Sequence, residues 1–199
     1  MLFTTVLLAG LTSAAPALIS RQAATELNPW EITHASAGRP SGRPGSGTNS
    51  SLQINIKQPN TINLRQAPTG QAVLPSFEAS CSWTWVTAGN NFPVSVETLC
   101  SRIGTKPGSY GNFTMMLSGT SQADFTVAIK ETREANILGQ RFVRVFEGGQ
   151  AFRVGDGIWR QICGGSGVCS WQVADGSLPI EVQQDLTESI GSCEDTGSC

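Results

Sequence analysis

The chain has 199 residues, with 13 Lys and Arg against 15 Asp and Glu and a formal net charge of −2. It has no basic run or Lys/Arg cluster, so it lacks the phosphate-neutralising surface that a nucleic-acid partner requires. Six cysteines, 22 glycines and 10 prolines within one domain's length of chain point to a small, loop-rich, cross-linked fold.

Residues 1–15, M-L-F-T-T-V-L-L-A-G-L-T-S-A-A, carry a short apolar centre at Val6–Leu11 followed by the small residues Thr12, Ser13, Ala14 and Ala15. This layout predicts a cleavable signal peptide, and the apolar run is far short of the ~20 residues that cross a bilayer. Pro16 favours cleavage after Ala14. Residues 16–29 are expected to be a flexible N-terminus or a propeptide ending at Arg21. A domain over 30–191 and a cysteine-containing tail over 192–199 follow. The expected location is extracellular, with no membrane partner.

Regular structure is expected from Trp30, where Trp30 and Ile32 alternate. Gly38–Ser51, G-R-P-S-G-R-P-G-S-G-T-N-S-S, reads as a loop because its Gly and Pro content disfavours helix and strand alike: a solvated connector first, with a recognition loop built on its twin, Pro-stiffened, Arg-exposing G-R-P units as the alternative. Strand alternation then recurs in Leu52/Ile54/Ile56, Trp83/Trp85, Phe113/Met115/Leu117 and Phe125/Val127/Ile129. Arg141–Phe146, Ile158–Cys163, Cys169–Val173 and Ile180–Val182 complete the series. Only Val94–Ile103 and Leu178–Ile190 have a period compatible with helical turns. The pattern predicts an all-β fold, a single antiparallel β-barrel or β-sandwich domain stapled by disulfides. Its core should include Leu52, Ile54, Ile56, Phe113, Phe125, Val127, Ile129 and Phe142.

Six cysteines behind a signal peptide read as disulfides. No C-x-x-C occurs and His34 is the only histidine, so neither a zinc site nor another metal site is expected. Six cysteines allow 15 pairings. Pairing each with its nearest neighbour in sequence costs the least loop entropy and gives Cys81–Cys100, Cys163–Cys169 and Cys193–Cys199. G-G-S-G-V between Cys163 and Cys169 supplies a chain reversal that brings the two thiols face to face.

Residues with catalytic chemistry are sparse. His34 precedes the Gly/Pro connector, lacks a G-x-S-x-G partner and reads as a surface histidine. Glu131 and Glu134, beside Lys130 and Arg133, read as a solvated charged turn rather than a glycosidase pair. Asp156 reads as a D-G turn residue, and Glu147 as the residue before a Gly148–Gly149 turn. The G-x-G patterns near Gly155 and Gly165 read as hairpin turns, with no helix to cradle phosphate. No catalytic residue is assigned and no cofactor is expected. The five tryptophans, Trp30, Trp83, Trp85, Trp159 and Trp171, are the strongest sign of binding, since indole stacks on sugar rings or flat aromatic ligands; filling the core is their commoner use. Trp83 and Trp85 share a strand face, so they should be buried together or exposed together, and they are the candidate ligand-binding pair. Asn49-Ser50-Ser51 and Asn112-Phe113-Thr114 are glycosylation sequons, Asn49 in the exposed connector and Asn112 partly shielded beside a strand.

Several segments together carry a family resemblance. They are W-E-I at Trp30, the G-R-P-S-G loop, L-Q-I-N-I-K, paired Cys81 and Cys100, F-T-M-M-L, F-T-V-A-I-K, F-E-G-G and C-G-G-S-G-V-C. From about Trp30 to Val182 the chain resembles the Alternaria major-allergen family of small fungal secreted proteins, the AA-one-like elicitors. The resemblance implies a β-barrel with two intrachain disulfides, elicitor or allergen behaviour and no catalytic residues. The expected function is that of a secreted effector or elicitor-like protein, not an enzyme. It would bind an extracellular host protein or wall component, or a small aromatic ligand. No cysteine precedes Cys81, so a monomer or a non-covalent dimer is expected. The alternative is a secreted carbohydrate-active enzyme or a wall-polysaccharide binder.

Overall fold

The computed structural model describes residues 27–67, 70–89, 91–104, 111–137 and 140–191. Among them there is no helix. The strands in chain order are β1 (Trp30–Arg39), β2 (Asn49–Gln58), β3 (Ile62–Ala67), β4 (Gly70–Leu74), β5 (Phe77–Val86), β6 (Glu97–Leu99) and β7 (Ser101–Ile103). They continue as β8 (Asn112–Ser121), β9 (Asp124–Ile137), β10 (Gln140–Arg153), β11 (Trp159–Cys163), β12 (Cys169–Val173), β13 (Ile180–Val182) and β14 (Asp185–Ile190). One antiparallel sheet has the order β11-β12-β1-β2-β5-β7, with β13 also paired to β1. A second has the order β14-β10-β9-β8-β6, and β3–β4 form a separate hairpin. Neither sheet closes on itself, so the architecture is a sandwich and not the barrel that the family resemblance implies.

The core follows from period-two alternation. On β2, Leu52, Ile54 and Ile56 are buried while Gln53 is exposed and Asn55 and Lys57 are half-buried. On β8 and β9, Phe113, Met115, Leu117, Phe125, Val127 and Ile129 face inward, and Phe142 of β10 joins them. Aromatic rings link the layers. Trp159 meets Phe152 edge-on at 5.2 Å and Trp30 meets Phe113 edge-on at 5.6 Å across the layers, while Phe125 and Phe152 stack at 5.0 Å as neighbours within one sheet. Such pairs add to their area burial about 0.5–1.5 kcal/mol each.

Several local expectations are corrected. Residues 94–103 and 185–190 form short edge strands instead of helical turns, and Ile180–Val182 is the strand its own pattern suggested: β6 pairs with β8, β7 with β5, β13 with β1 and β14 with β10. Neighbouring strands with unpaired backbone decide the conformation of segments too short to choose their own. The Gly/Pro connector shrinks to residues 40–48, because Gly38 pairs with Ser51 in the β1–β2 ladder. Glu147-Gly148-Gly149 is no turn; it lies within the fourteen-residue strand β10. A Cβ at Gly148 would stand 2.3 Å from the Gln183 carbonyl oxygen and 2.9 Å from Cζ3 of Trp30. The glycine is there because another segment of backbone crosses against it.

Two bridges form as nearest-neighbour pairs, and no described cysteine is free. Cys163 and Cys169 are opposite partners at the tip of the β11–β12 hairpin, with Cα atoms 4.1 Å apart. The reversal between them uses Gly167 at φ 87°. Cys81 on β5 bonds to Cys100, which lies where the chain passes from β6 in one sheet to β7 in the other. That bridge fastens the crossover between the two layers. The pairing of Cys193 with Cys199 lies outside the described residues, as do the signal peptide and the propeptide expected to end at Arg21.

Gly148→Ala should cost about 3 kcal/mol through overpacking against backbone that cannot swing aside. Gly47→Ala, which meets nothing within 4 Å, should stay within about 0.5 kcal/mol of wild type. Urea unfolding measures both. By the same assay, replacing Cys81 and Cys100 with Ala should cost about 3 kcal/mol, against about 2 kcal/mol for Cys163 and Cys169. The order should hold because the first loop is longer and its sulfurs are buried.

Candidate functional site

Two polar assemblies stand out, one at each end of the sandwich. The first surrounds Glu131 and Arg133 on β9, both fully buried. The inward alternation of Phe125, Val127 and Ile129 simply continues through Glu131, Arg133 and Ala135. This is no turn: Glu131 and Arg133 lie mid-strand and face the core, while Lys130 and Glu134 are solvated on the opposite face. The indole N–H of Trp30 donates to Oε2 of Glu131 at 2.9 Å, and the Gln58 carboxamide donates to the same oxygen. Nε of Arg133 lies 3.4 Å from Oε1. The Arg133 guanidinium also donates to the carbonyls of Asn60, at 3.3 Å, and of Pro75. The Asn60 amide donates in turn to Gln58 Oε1 and to the Asn28 carbonyl, each at 2.7 Å.

Burial pushes the Glu131 carboxyl above the usual carboxylate range, against the opposing pull of Arg133, Trp30 and Gln58. Burial likewise lowers Arg133, with Glu131 resisting; a guanidinium nevertheless stays charged in a protein. The carboxylate is thus engaged from several sides. Glu134 faces the other side of β9, exposed, where Arg141 binds it through two hydrogen bonds of 2.7 and 3.2 Å and holds its carboxyl below the usual range. Glu131 and Glu134 cannot flank one bond, because odd and even positions of a strand project to opposite faces.

The second assembly is a rim cleft of about 310 Å³ at the opposite end, among Arg39, Ser50, Trp85, Thr87, Phe92, Ser121 and Gln122. It is built from strand ends: Arg39 closes β1, Ser50 opens β2, Trp85 nearly ends β5, and Gln122 sits in the β8–β9 reversal. Gly119, at φ 126°, provides the bulge that shapes that reversal. Four of the five tryptophans are buried, with Trp30 at 0%, Trp83 at 5%, Trp159 at 1% and Trp171 at 3% exposure. Trp85 alone is half-buried, its ring held edge-on against Phe92 at 5.3 Å. Trp83 and Trp85 share a face but part in depth: Trp83 is buried, and Trp85, next to the end of β5, is half-buried. Trp83 belongs to the core, and Trp85 remains available to a ligand.

The other expected positions are dispersed. His34 is exposed and bonded to Ser36 Oγ at 2.9 Å. Asp156 is a turn residue as expected, its carboxylate accepting from the Arg153, Ile158 and Trp159 backbone N–H groups. Asn49 and Asn112 are each the first residue of a strand and both are exposed, so Asn112 is not shielded. A smaller cleft of about 220 Å³ includes Lys57, Phe77, Glu78 and Arg102. There Lys57 pairs with Glu31 at 2.7 Å, and Thr33 donates to Glu78 at 2.9 Å. Among the described residues no group of three or more His, Cys, Asp or Glu side chains could hold a metal ion. No family model, curated protein or solved structure matches the chain.

The raised Glu131 value fixes the sign of one pH effect. The folded state binds this proton where the unfolded chain has released it. Its contribution to stability is therefore complete below the ordinary carboxylate range and is lost as pH rises through the raised value. Between about pH 3 and about pH 8 the stability of wild type relative to Glu131→Gln should fall with rising pH in urea titrations. A relative stability that climbs with pH would mean that Arg133 outweighs burial.

Proposed function

We propose that the chain is a secreted, non-catalytic binding protein of the fungal elicitor or effector type, acting on an extracellular host component through the rim cleft. One observation carries this reading. Every other tryptophan is committed to the core, while Trp85 stands half-buried beside a polar cleft. An indole fixed on one side and open on the other is a ready platform for a ring-shaped ligand. The two disulfides accord with an oxidising compartment, and the family that the sequence resembles is one of elicitors or allergens with no established catalytic residues. The described lining of the cleft contains no carboxylate, whereas glycoside cleavage uses two facing carboxyl groups. The same open indole favours a second reading within the binding class, a wall-polysaccharide binder.

The test uses secreted protein coupled to beads, challenged with host extracellular fluid and with soluble wall polysaccharides. Saturable retention is expected, weakened at least about tenfold by Trp85→Ala and unchanged by His34→Ala, with no sugar released. Release of reducing ends with saturable kinetics would overturn the non-catalytic reading. Retention indifferent to Trp85→Ala would remove the cleft from it.

A further inference from the structure

We infer that the ligand of the rim cleft is an acidic saccharide, recognised through a hexuronic acid residue. This rests on the cleft being a binding site and names the chemistry it selects. Gln122 is only 6% exposed, and its backbone carbonyl is held by the Trp159 indole N–H at 2.8 Å. Its carboxamide, by contrast, takes no hydrogen bond among the described residues, although Gln122 lines the cleft. The carboxamide atoms keep contact with solvent at the cleft, so they are open to a polar occupant.

Its neighbours narrow the occupant's chemistry. Ser50 and Thr87 bond hydroxyl to hydroxyl at 2.9 Å, which leaves each oxygen with further capacity toward the cleft. Trp85 offers an indole against which the C–H face of a sugar ring can lie. The Arg39 side chain is exposed and, among the described residues, has neither an ion pair nor a hydrogen bond; no acidic residue among those described lines the cleft to neutralise it. A guanidinium of this kind binds a carboxylate with two parallel hydrogen bonds. A neutral sugar would match Gln122, Ser50, Thr87 and Trp85 and leave Arg39 unused. An aromatic acid would match Trp85 and Arg39 and leave the carboxamide unpaired. A ring bearing both hydroxyls and a carboxylate uses every group. The volume of about 310 Å³ lies at the small end of ligand sites and suits roughly one or two sugar rings.

The experiment is calorimetry on the secreted, disulfide-intact protein with three probes: a galacturonic acid trisaccharide, a neutral galactose trisaccharide and benzoate. The acidic trisaccharide should bind best, and its affinity should drop as ionic strength rises. Arg39→Gln, a surface change that leaves the core untouched, should weaken the acidic probe roughly tenfold, equivalent to about 1.4 kcal/mol, and bring it level with the neutral one. Gln122→Leu should weaken both saccharides. Equal affinity for the two saccharides, insensitive to Arg39→Gln but lost in Trp85→Ala, would overturn the uronic acid inference and leave the cleft as a site. Preference for benzoate would overturn it in the same way. No binding of any probe, combined with bead retention indifferent to Trp85→Ala, would overturn both readings together.

Discussion

Glu131 and Arg133 occupy alternate positions of one strand and both point into the space between the sheets, where an unpaired charge would cost several kcal/mol. Much of the lower half of the sandwich is arranged around meeting that demand. Trp30 comes from β1 and Gln58 from β2, so the carboxylate on β9 docks one sheet onto the other at a defined height. Trp30 reaches its place only because Gly148 leaves room for the indole and for the crossing Gln183 backbone. Asn60 then joins Gln58 to the chain entering β1, and Arg133 holds carbonyls on the connections beside β3 and β4. Hydrophobic burial supplies most of the stabilisation, but it is non-directional. Directional bonds to one buried carboxylate can fix which height the sheets adopt.

The opposite end obeys a different constraint. There the strands outrun the layer that covers them, and side chains which would be core residues one pleat earlier meet water. Trp83 and Trp85 show the change across a single repeat of β5. The aromatic stack of Phe92, Phe125, Phe152 and Trp159 lies beneath this rim, so the cleft has a rigid floor. A site on such a floor loses little entropy when occupied, which suits recognition by placement. Asn49 projects from the outer side of β2 while its neighbour Ser50 turns inward to the cleft. A glycan there would leave from the face opposite the cleft.

Much of the fold was legible because it is written in local pattern. Alternation located the long strands and their buried residues, and the Gly-rich segment between Cys163 and Cys169 announced both a hairpin and its bridge. What escaped depends on partners distant in sequence. Residues 94–103 and 185–190 become strands because neighbouring strands stand beside them. Gly148-Gly149 resembles a turn locally and is instead a place where backbone crosses backbone. K-E-T-R-E looks solvated when its charges are counted, although the period-two run from Phe125 places Glu131 and Arg133 inside. Trp85 could be assigned to a face but not to a depth, since depth depends on where the other sheet stops. Gln122 carried no signal in the sequence, and Arg39 only that of an exposed arginine in a G-R-P unit; the meeting of three strand ends and a reversal brings them to one cleft.

The β11–β12 hairpin forms an outer margin of its sheet, and it carries more apolar surface than a margin usually does. Ile162 is 49% and Val168 47% exposed, on either side of the Cys163–Cys169 bridge. An open sheet margin with free backbone groups and apolar side chains is a template on which another chain can add a strand. The covalent clasp at the tip keeps this margin short, twisted and paired to its own partner. Beyond the stability it adds, the clasp holds the two strands of the margin in register and so leaves less free backbone for a second copy to pair with.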